Sequence, residues 1–194
     1  MIDFFHNLYS NIVNENKALT QIRFYSLQRY LVRQIANIAL PIYFKLTANN
    51  PDYKLAENTK QGKRLVVSLT TFPARIGKVW LVIESMLRQT RKPDVIELWL
   101  SQEQFTSLKA LPQCLLNLRK RGLSIEFCKE DYRSHKKYFY AFQKHSNDIV
   151  VTIDDDIIYS TNLIEKLYNT SKSNPEAIIS NNTYRIKRNN GEVT

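Results

Sequence analysis

The residues whose chemistry is most legible are Asp154, Asp155 and Asp156, which follow the apolar run Ile149-Val150-Val151-Thr152-Ile153. Three adjacent carboxylates repel one another unless positive charge neutralises them. In an extended chain Asp154 and Asp156 point to one side and Asp155 to the other, with the outer pair roughly 6.5 to 7 Å apart. One such carboxylate can hold a hard divalent cation while the other hydrogen-bonds a sugar or ribose hydroxyl. Mg²⁺ or Mn²⁺ would complete its shell with water and diphosphate oxygens. The metal would then stabilise negative charge on a departing diphosphate. The plainer alternative is a solvated acidic turn or a helix cap. The position at the end of a buried strand favours the ligand-binding role.

Two further groups suit an anionic ligand. Thr70, Thr71, Phe72, Pro73 and Arg75 form the end of an apolar run and the turn after it. Lys136 and Lys137 open a helical segment, where the helix dipole does not favour a cation; a phosphate would give such a lysine a partner. For Arg75 and both lysines the competing reading is a solvated surface. Asp131 is a weaker candidate for a ribose or base contact, and Glu97 reads as structural. His6, His135 and His145 lack metal-ligand spacing. Tyr138, Phe139 and Tyr140 read as core and pocket wall.

These groups need a scaffold, and the pattern after residue 64 supplies one. Leu65 to Thr70, Val95 to Leu100, Leu123 to Cys128, Ile149 to Ile153 and Ala177 to Ser180 read as strands. Helical spacing covers Ile76 to Gln89, Gln102 to Arg121 with an interruption near Pro112, Ser134 to His145, and Asn162 to Ser171. Gly122 is placed to close the second of these. Strands alternating with helices predict an α/β fold, a mostly parallel sheet flanked by helices. Ligands in such sheets bind at the carboxyl ends of the strands. Thr71 to Arg75 and Asp154 to Asp156 both fall there, which predicts a shared site.

Residues 1–50 differ. Phe24, Leu27, Leu31, Ile35, Ile38 and Ile42 recur at three- and four-residue steps, in a stretch with Arg23, Arg29, Arg33 and Lys45 but no acidic residue. The pattern predicts a basic amphipathic helix, ended or kinked at Pro41. It either lies in a membrane interface or packs on the domain or a second subunit. Thr47 to Lys63 reads as a linker, with 51–63 as the boundary and 64–194 as the α/β domain.

The 194 residues allow one domain and an appendage, and the net charge of +10 favours anionic partners. The charges are spread and no RNA-binding signature is present, so nucleic acid is not an expected partner. Cys114 and Cys128 read as reduced thiols. No secretory signal is visible and no apolar run reaches the roughly 18 to 20 residues of a spanning helix, so the expected location is cytoplasmic, peripheral at the inner face of a membrane.

Val66 to Ser101 (VVSLTTFPARIGKVWLVIESMLRQTRKPDVIELWLS) and His135 to Ser160 (HKKYFYAFQKHSNDIVVTIDDDIIYS) together resemble bacterial glycosyltransferases of the GT-A fold, of the family-2-like kind found in capsule and lipopolysaccharide loci. The resemblance covers roughly Arg64 to Ile186. It implies a Rossmann-like nucleotide-sugar-binding half, with Asp154 and Asp156 at the metal and Asp154 and Asp155 at the donor. It implies that Thr70, Thr71, Phe72, Pro73 and Arg75 meet the nucleobase and ribose, and that Lys136 or Lys137 lies near the diphosphate. The implied partners are a nucleotide-sugar donor and a glycan or lipid-linked acceptor. Family members usually continue well past the Asp-x-Asp, where the acceptor portion and the base of inverting enzymes lie. This sequence ends at Thr194, so no general base is assigned. A partner chain supplying the acceptor half, or a remnant that binds without transfer, are the corresponding expectations. Phosphatases of the haloacid dehalogenase type also carry Asp-x-Asp, but after the first strand and before x-Thr or x-Val, whereas Ile157 and Ile158 follow here.

Overall fold

A computed structural model describes residues 1–12, 23–56, 62–181, 188–189 and 192–193. Four strands form the main sheet: β1 (Leu65–Thr70), β2 (Val95–Ser101), β3 (Leu123–Cys128) and β4 (Ile149–Thr152). Their order is β3-β2-β1-β4, and every pairing is parallel. A second sheet is a short antiparallel pair, β5 (Arg188–Asn189) with β6 (Glu192–Val193). The helices are α1 (Ile2–Ser10), α2 (Phe24–Leu46), α3 (Val79–Leu87), α4 (Gln113–Leu118), α5 (Lys136–Lys144) and α6 (Leu163–Ser173).

β1 lies between β2 and β4, and its Leu65, Val66, Val67 and Leu69 are buried. That explains its continuous apolar sequence, since a strand covered on both faces has no polar side to show. α5 packs across β1, β4 and β2. Buried Val79, Val82, Ile83, Met86 and Leu87 of α3 share one core with β1, β2 and Leu115 and Leu118 of α4. Gly122, at φ 102°, ends the 3-10 turn Arg119–Arg121 and admits β3. A Cβ there would sit 2.4 Å from Leu55 Cδ1, so both the backbone angle and the space call for glycine.

Four expectations change. The helix over Gln102 to Arg121 reduces to α4, with 3-10 turns at Leu108–Ala110 and Arg119–Arg121. Phe105 and Leu111 are buried from turn and loop positions, where the chain folds onto the core without forming a helix. Ala177 to Ser180 forms no strand, and Ile178 is fully exposed. Of the end or kink expected at Pro41, the end does not occur, since α2 runs on to Leu46. Finally, the apolar stripe of α2 does not pack on the sheet: Phe24, Leu27, Leu31, Ile35, Ile38 and Ile42 are all exposed, while Leu40 and Phe44 are the buried positions. Residues 51–56 lie along the domain, with the Ala56 N–H donating to Pro93 O at 2.9 Å.

A buried ion cluster fixes the end of α2. Glu84 pairs with Arg88 one turn later and with Arg121 Nη1 at 2.5 Å, and Glu84 is 3% exposed. The Arg88 guanidinium lies over the Phe44 ring at 4.4 Å and the Tyr53 ring at 4.3 Å, and donates to Thr47 Oγ1 at 2.8 Å. Removing one partner of a buried pair leaves uncompensated charge. Glu84→Ala is therefore expected to lower unfolding free energy by about 3 to 5 kcal/mol, measured by urea denaturation.

Candidate functional site

In the order β3-β2-β1-β4, the chain steps outward from β1 to β2 and β3, then returns to the other side of β1 as β4. The topological switch point lies between β1 and β4, and a crevice opens beyond their carboxyl ends. A cavity of about 740 Å³ occupies this place. Thr70, Thr71, Phe72, Arg75, Lys136, Lys137, Asp154, Asp155 and Asp156 all line it. Of the residues expected at the site, Pro73 does not line the cavity; it is exposed in the turn.

The parallel register explains how the two loops meet. Ser68 pairs with Thr152, and Ile153 N–H donates to Ser68 O at 3.0 Å. Three residues on from that pair stand Thr71 and Asp155, so both arrive at the same level. Thr71 Oγ1 donates to Asp155 Oδ2 at 2.6 Å, and Arg75 Nη1 to Asp155 Oδ1 at 2.7 Å. The Asp155 side chain is 10% exposed, and the protein engages both of its oxygens. Within this geometry Asp155 ties one loop to the other.

Asp154 and Asp156 point outward, at 58% and 48% exposure. The alternation expected of an extended chain holds for exposure only: Asp155 and Asp156 lie in a bend beyond β4 and converge on the same Arg75 Nη1. Lys137 Nζ lies 2.6 Å from Asp154 Oδ1, and Arg75 Nη1 lies 2.9 Å from Asp156 Oδ2. The Asp154 N–H donates to the Tyr159 hydroxyl at 2.9 Å. Burial pushes the Tyr159 phenol up to about 12, so it remains a neutral hydroxyl at ordinary pH. Arg75 also lies over the Phe72 ring, 5.2 Å from its centroid.

The two lysines separate. Lys136 is buried and pairs with Asp131, whose other oxygen accepts from Gln104 Nε2 at 2.7 Å. Ser68 in β1 holds the start of α5, donating to Lys137 O and accepting from Trp99 Nε1 at 3.0 Å. Just before the helix, Arg133 has φ 51°. A non-glycine residue there is uncommon and is held only by its surroundings, here by its N–H on Asp131 Oδ1 at 2.9 Å. Gln104, Arg133 and Ser134 line the cavity and carried no signal in the sequence; Asp131 did so weakly.

Asp154 and Asp156 are the residues that could hold a divalent cation. No group of three or more metal-ligating side chains occurs among the described residues. Two carboxylates fit Mg²⁺ or Mn²⁺ where phosphate oxygens and water supply the other ligands. The histidines lie elsewhere: His145 with Glu97 and Asp148, His135 with Tyr138, His6 on Ile158 O.

Comparison of the chain with protein-family models, with curated proteins and with solved structures gave no match in any of the three.

The Lys136 ammonium beside Asp131 holds that carboxyl below its ordinary value of 3.8. A carboxylate depressed in the folded state stabilises the fold above its unfolded pKa and loses that contribution as pH falls through the folded value. Unfolding free energy is therefore expected to drop below about pH 4. In Asp131→Asn the protein is expected to be less stable at neutral pH and to show a shallower acid slope, read by urea denaturation at stepped pH.

Proposed function

We propose that the cavity binds a nucleoside-diphosphate sugar together with Mn²⁺ or Mg²⁺, and that the chain is the donor-binding part of a glycosyltransferase acting on a glycan or lipid-linked acceptor. The observation that carries this reading is the outward pair Asp154 and Asp156, set at the switch point inside a nucleotide-sized cavity. The resemblance of the two loop segments to GT-A-fold glycosyltransferases agrees with it.

Charge balance supports the metal. The lining contains four cations, Arg75, Arg133, Lys136 and Lys137, and four carboxylates, Asp131, Asp154, Asp155 and Asp156. A site of zero formal charge has little net pull on a bare diphosphate carrying about two negative charges. A divalent cation bound with the diphosphate makes the ligand nearly neutral and matches the site. The metal's chemistry would be to stabilise negative charge on the leaving diphosphate. Asp154 and Asp156 would hold it, while Lys137 and Arg75, already against those carboxylates, lie within reach of the phosphates. Thr71, Phe72 and the Asp131 loop would then form the wall against the nucleoside.

A second reading, binding without transfer, also has an observation behind it. All four lining carboxylates are ion-paired: Asp131 with Lys136, Asp154 with Lys137, and Asp155 and Asp156 with Arg75. A general base needs a free carboxylate or imidazole aimed at the acceptor, and none of the lining residues supplies one. Turnover of a bound donor separates the two readings.

Calorimetric titration with a panel of nucleotide sugars, with and without Mn²⁺, tests the binding itself. The expected outcome is binding of one donor that strengthens at least about tenfold with metal. Asp156→Asn keeps the shape and removes the charge, so metal dependence is expected to vanish while circular dichroism stays unchanged. Metal-dependent binding that survives in Asp156→Asn would refute its assignment.

A further inference from the structure

A long run of exposed apolar side chains lies on α2, away from the cavity. Phe24, Leu27, Leu31, Ile35, Ile38 and Ile42 are 39% to 67% exposed. At 100° per residue they share one arc of about 80°, which Leu46 widens to about 100°. Leu40 and Phe44, the positions that anchor the helix to the core, fall on the opposite side. The stripe runs the length of a 23-residue helix, about 35 Å at the α-helical rise. Singly exposed apolar residues are ordinary, but a continuous strip of this kind marks an interaction surface.

Its charge selects the occupant. α2 contains no acidic residue, and Lys45 and the N-cap Arg23 flank the stripe. Arg29 and Arg33 fall on the opposite side, about 160° from its centre, and Arg29 Nη2 donates to Ile12 O at 2.7 Å. At Lys45 a long side chain can reach headgroups while its stem stays among apolar groups. Pairing with a second copy through the same stripe would leave Lys45 and Arg23 with no carboxylate on either helix to match them. No helix is long and apolar enough to cross a membrane among the described residues. The remaining geometry is a helix lying in the plane of an interface.

We infer that the exposed face of α2 docks on an anionic lipid surface, with the stripe buried at the headgroup boundary and Lys45 and Arg23 along its edge. The inference does not depend on what the cavity binds.

The experiment is flotation of the full chain with vesicles of phosphatidylcholine alone and of phosphatidylcholine mixed with phosphatidylglycerol. The expected result is flotation with the anionic vesicles at low salt, weaker by about tenfold or more on the neutral ones and at high salt. Ile35→Asn combined with Ile38→Asn alters two exposed side chains, so folding is expected to survive, and the variant is expected to stay in the dense fraction. Arg23→Glu with Lys45→Glu, which leaves the stripe intact, is expected to remove the preference for anionic vesicles. A wild-type chain that stays dense with anionic vesicles at low salt overturns the inference. So does equal flotation on both vesicle types, or a double-asparagine variant that floats as the wild type does. A dimer in light scattering that dissolves in that variant, with no flotation of the wild type, would give the face to a second copy instead.

Discussion

The site depends on one interaction: the strap from Asp155 across to Thr71 and Arg75. β1 and β4 are neighbours in the sheet, but the crevice at a switch point opens because their following chains leave in different directions. A buried carboxylate reached by a hydroxyl and a guanidinium joins those chains just beyond the sheet. Burying a carboxylate is costly unless it is paired and hydrogen-bonded, and here both oxygens are used. With Asp155 held inward, the residues on either side of it, Asp154 and Asp156, stay exposed to the cavity.

The strap works only because the register is right. The pairing of Ser68 with Thr152 brings Thr71 level with Asp155, and a slip of one residue would reverse every side chain after it. Ser68 helps hold that region, since its buried hydroxyl joins β1 both to α5 and to Trp99 of β2. One small polar residue in an otherwise apolar strand thus connects the central strand to the helix that carries Lys136 and Lys137.

Legibility in the sequence followed the range of the forces involved. β1 and β3 begin and end where their apolar runs do, because local β-branched and apolar composition is what buries a strand. The triad and the turn after β1 were legible because strand ends are where parallel sheets present ligand groups. Gln104 was not, because it meets Asp131 from far away in the sequence; Arg133 and Tyr159 were not, because loop geometry and no periodic pattern places them. The stretch from Gln102 to Pro112 misled because its apolar residues Phe105 and Leu111 bury from a loop folded onto the core and not from a helix. For α2, periodicity gave the helix but not its orientation. The six-residue stripe faces outward, and two residues outside it, Leu40 and Phe44, bind the helix to the core. Counting apolar positions shows that a face exists; the partner of that face is a tertiary fact.

The chain that leaves the triad connects these two parts of the molecule. Residues 158–161 are gripped from several sides. His6 Nε2 lies 2.6 Å from Ile158 O, Tyr159 N–H donates to Ser85 Oγ at 3.3 Å, and Gln89 Nε2 donates to Ser160 O at 2.7 Å. Asp3 accepts from Thr161 N–H at 2.9 Å and from its hydroxyl, while Thr90 N–H donates to Thr161 O at 2.8 Å. The same segment supplies Tyr159, whose hydroxyl accepts the Asp154 N–H. α1 is thereby bonded, through four residues, to the backbone of a candidate metal ligand. Since α1 also packs on α2, the outward apolar face and the outward carboxylates are parts of one hydrogen-bonded frame. A surface that holds α2 would hold the cavity in a fixed orientation as well, without any further contact at the site itself.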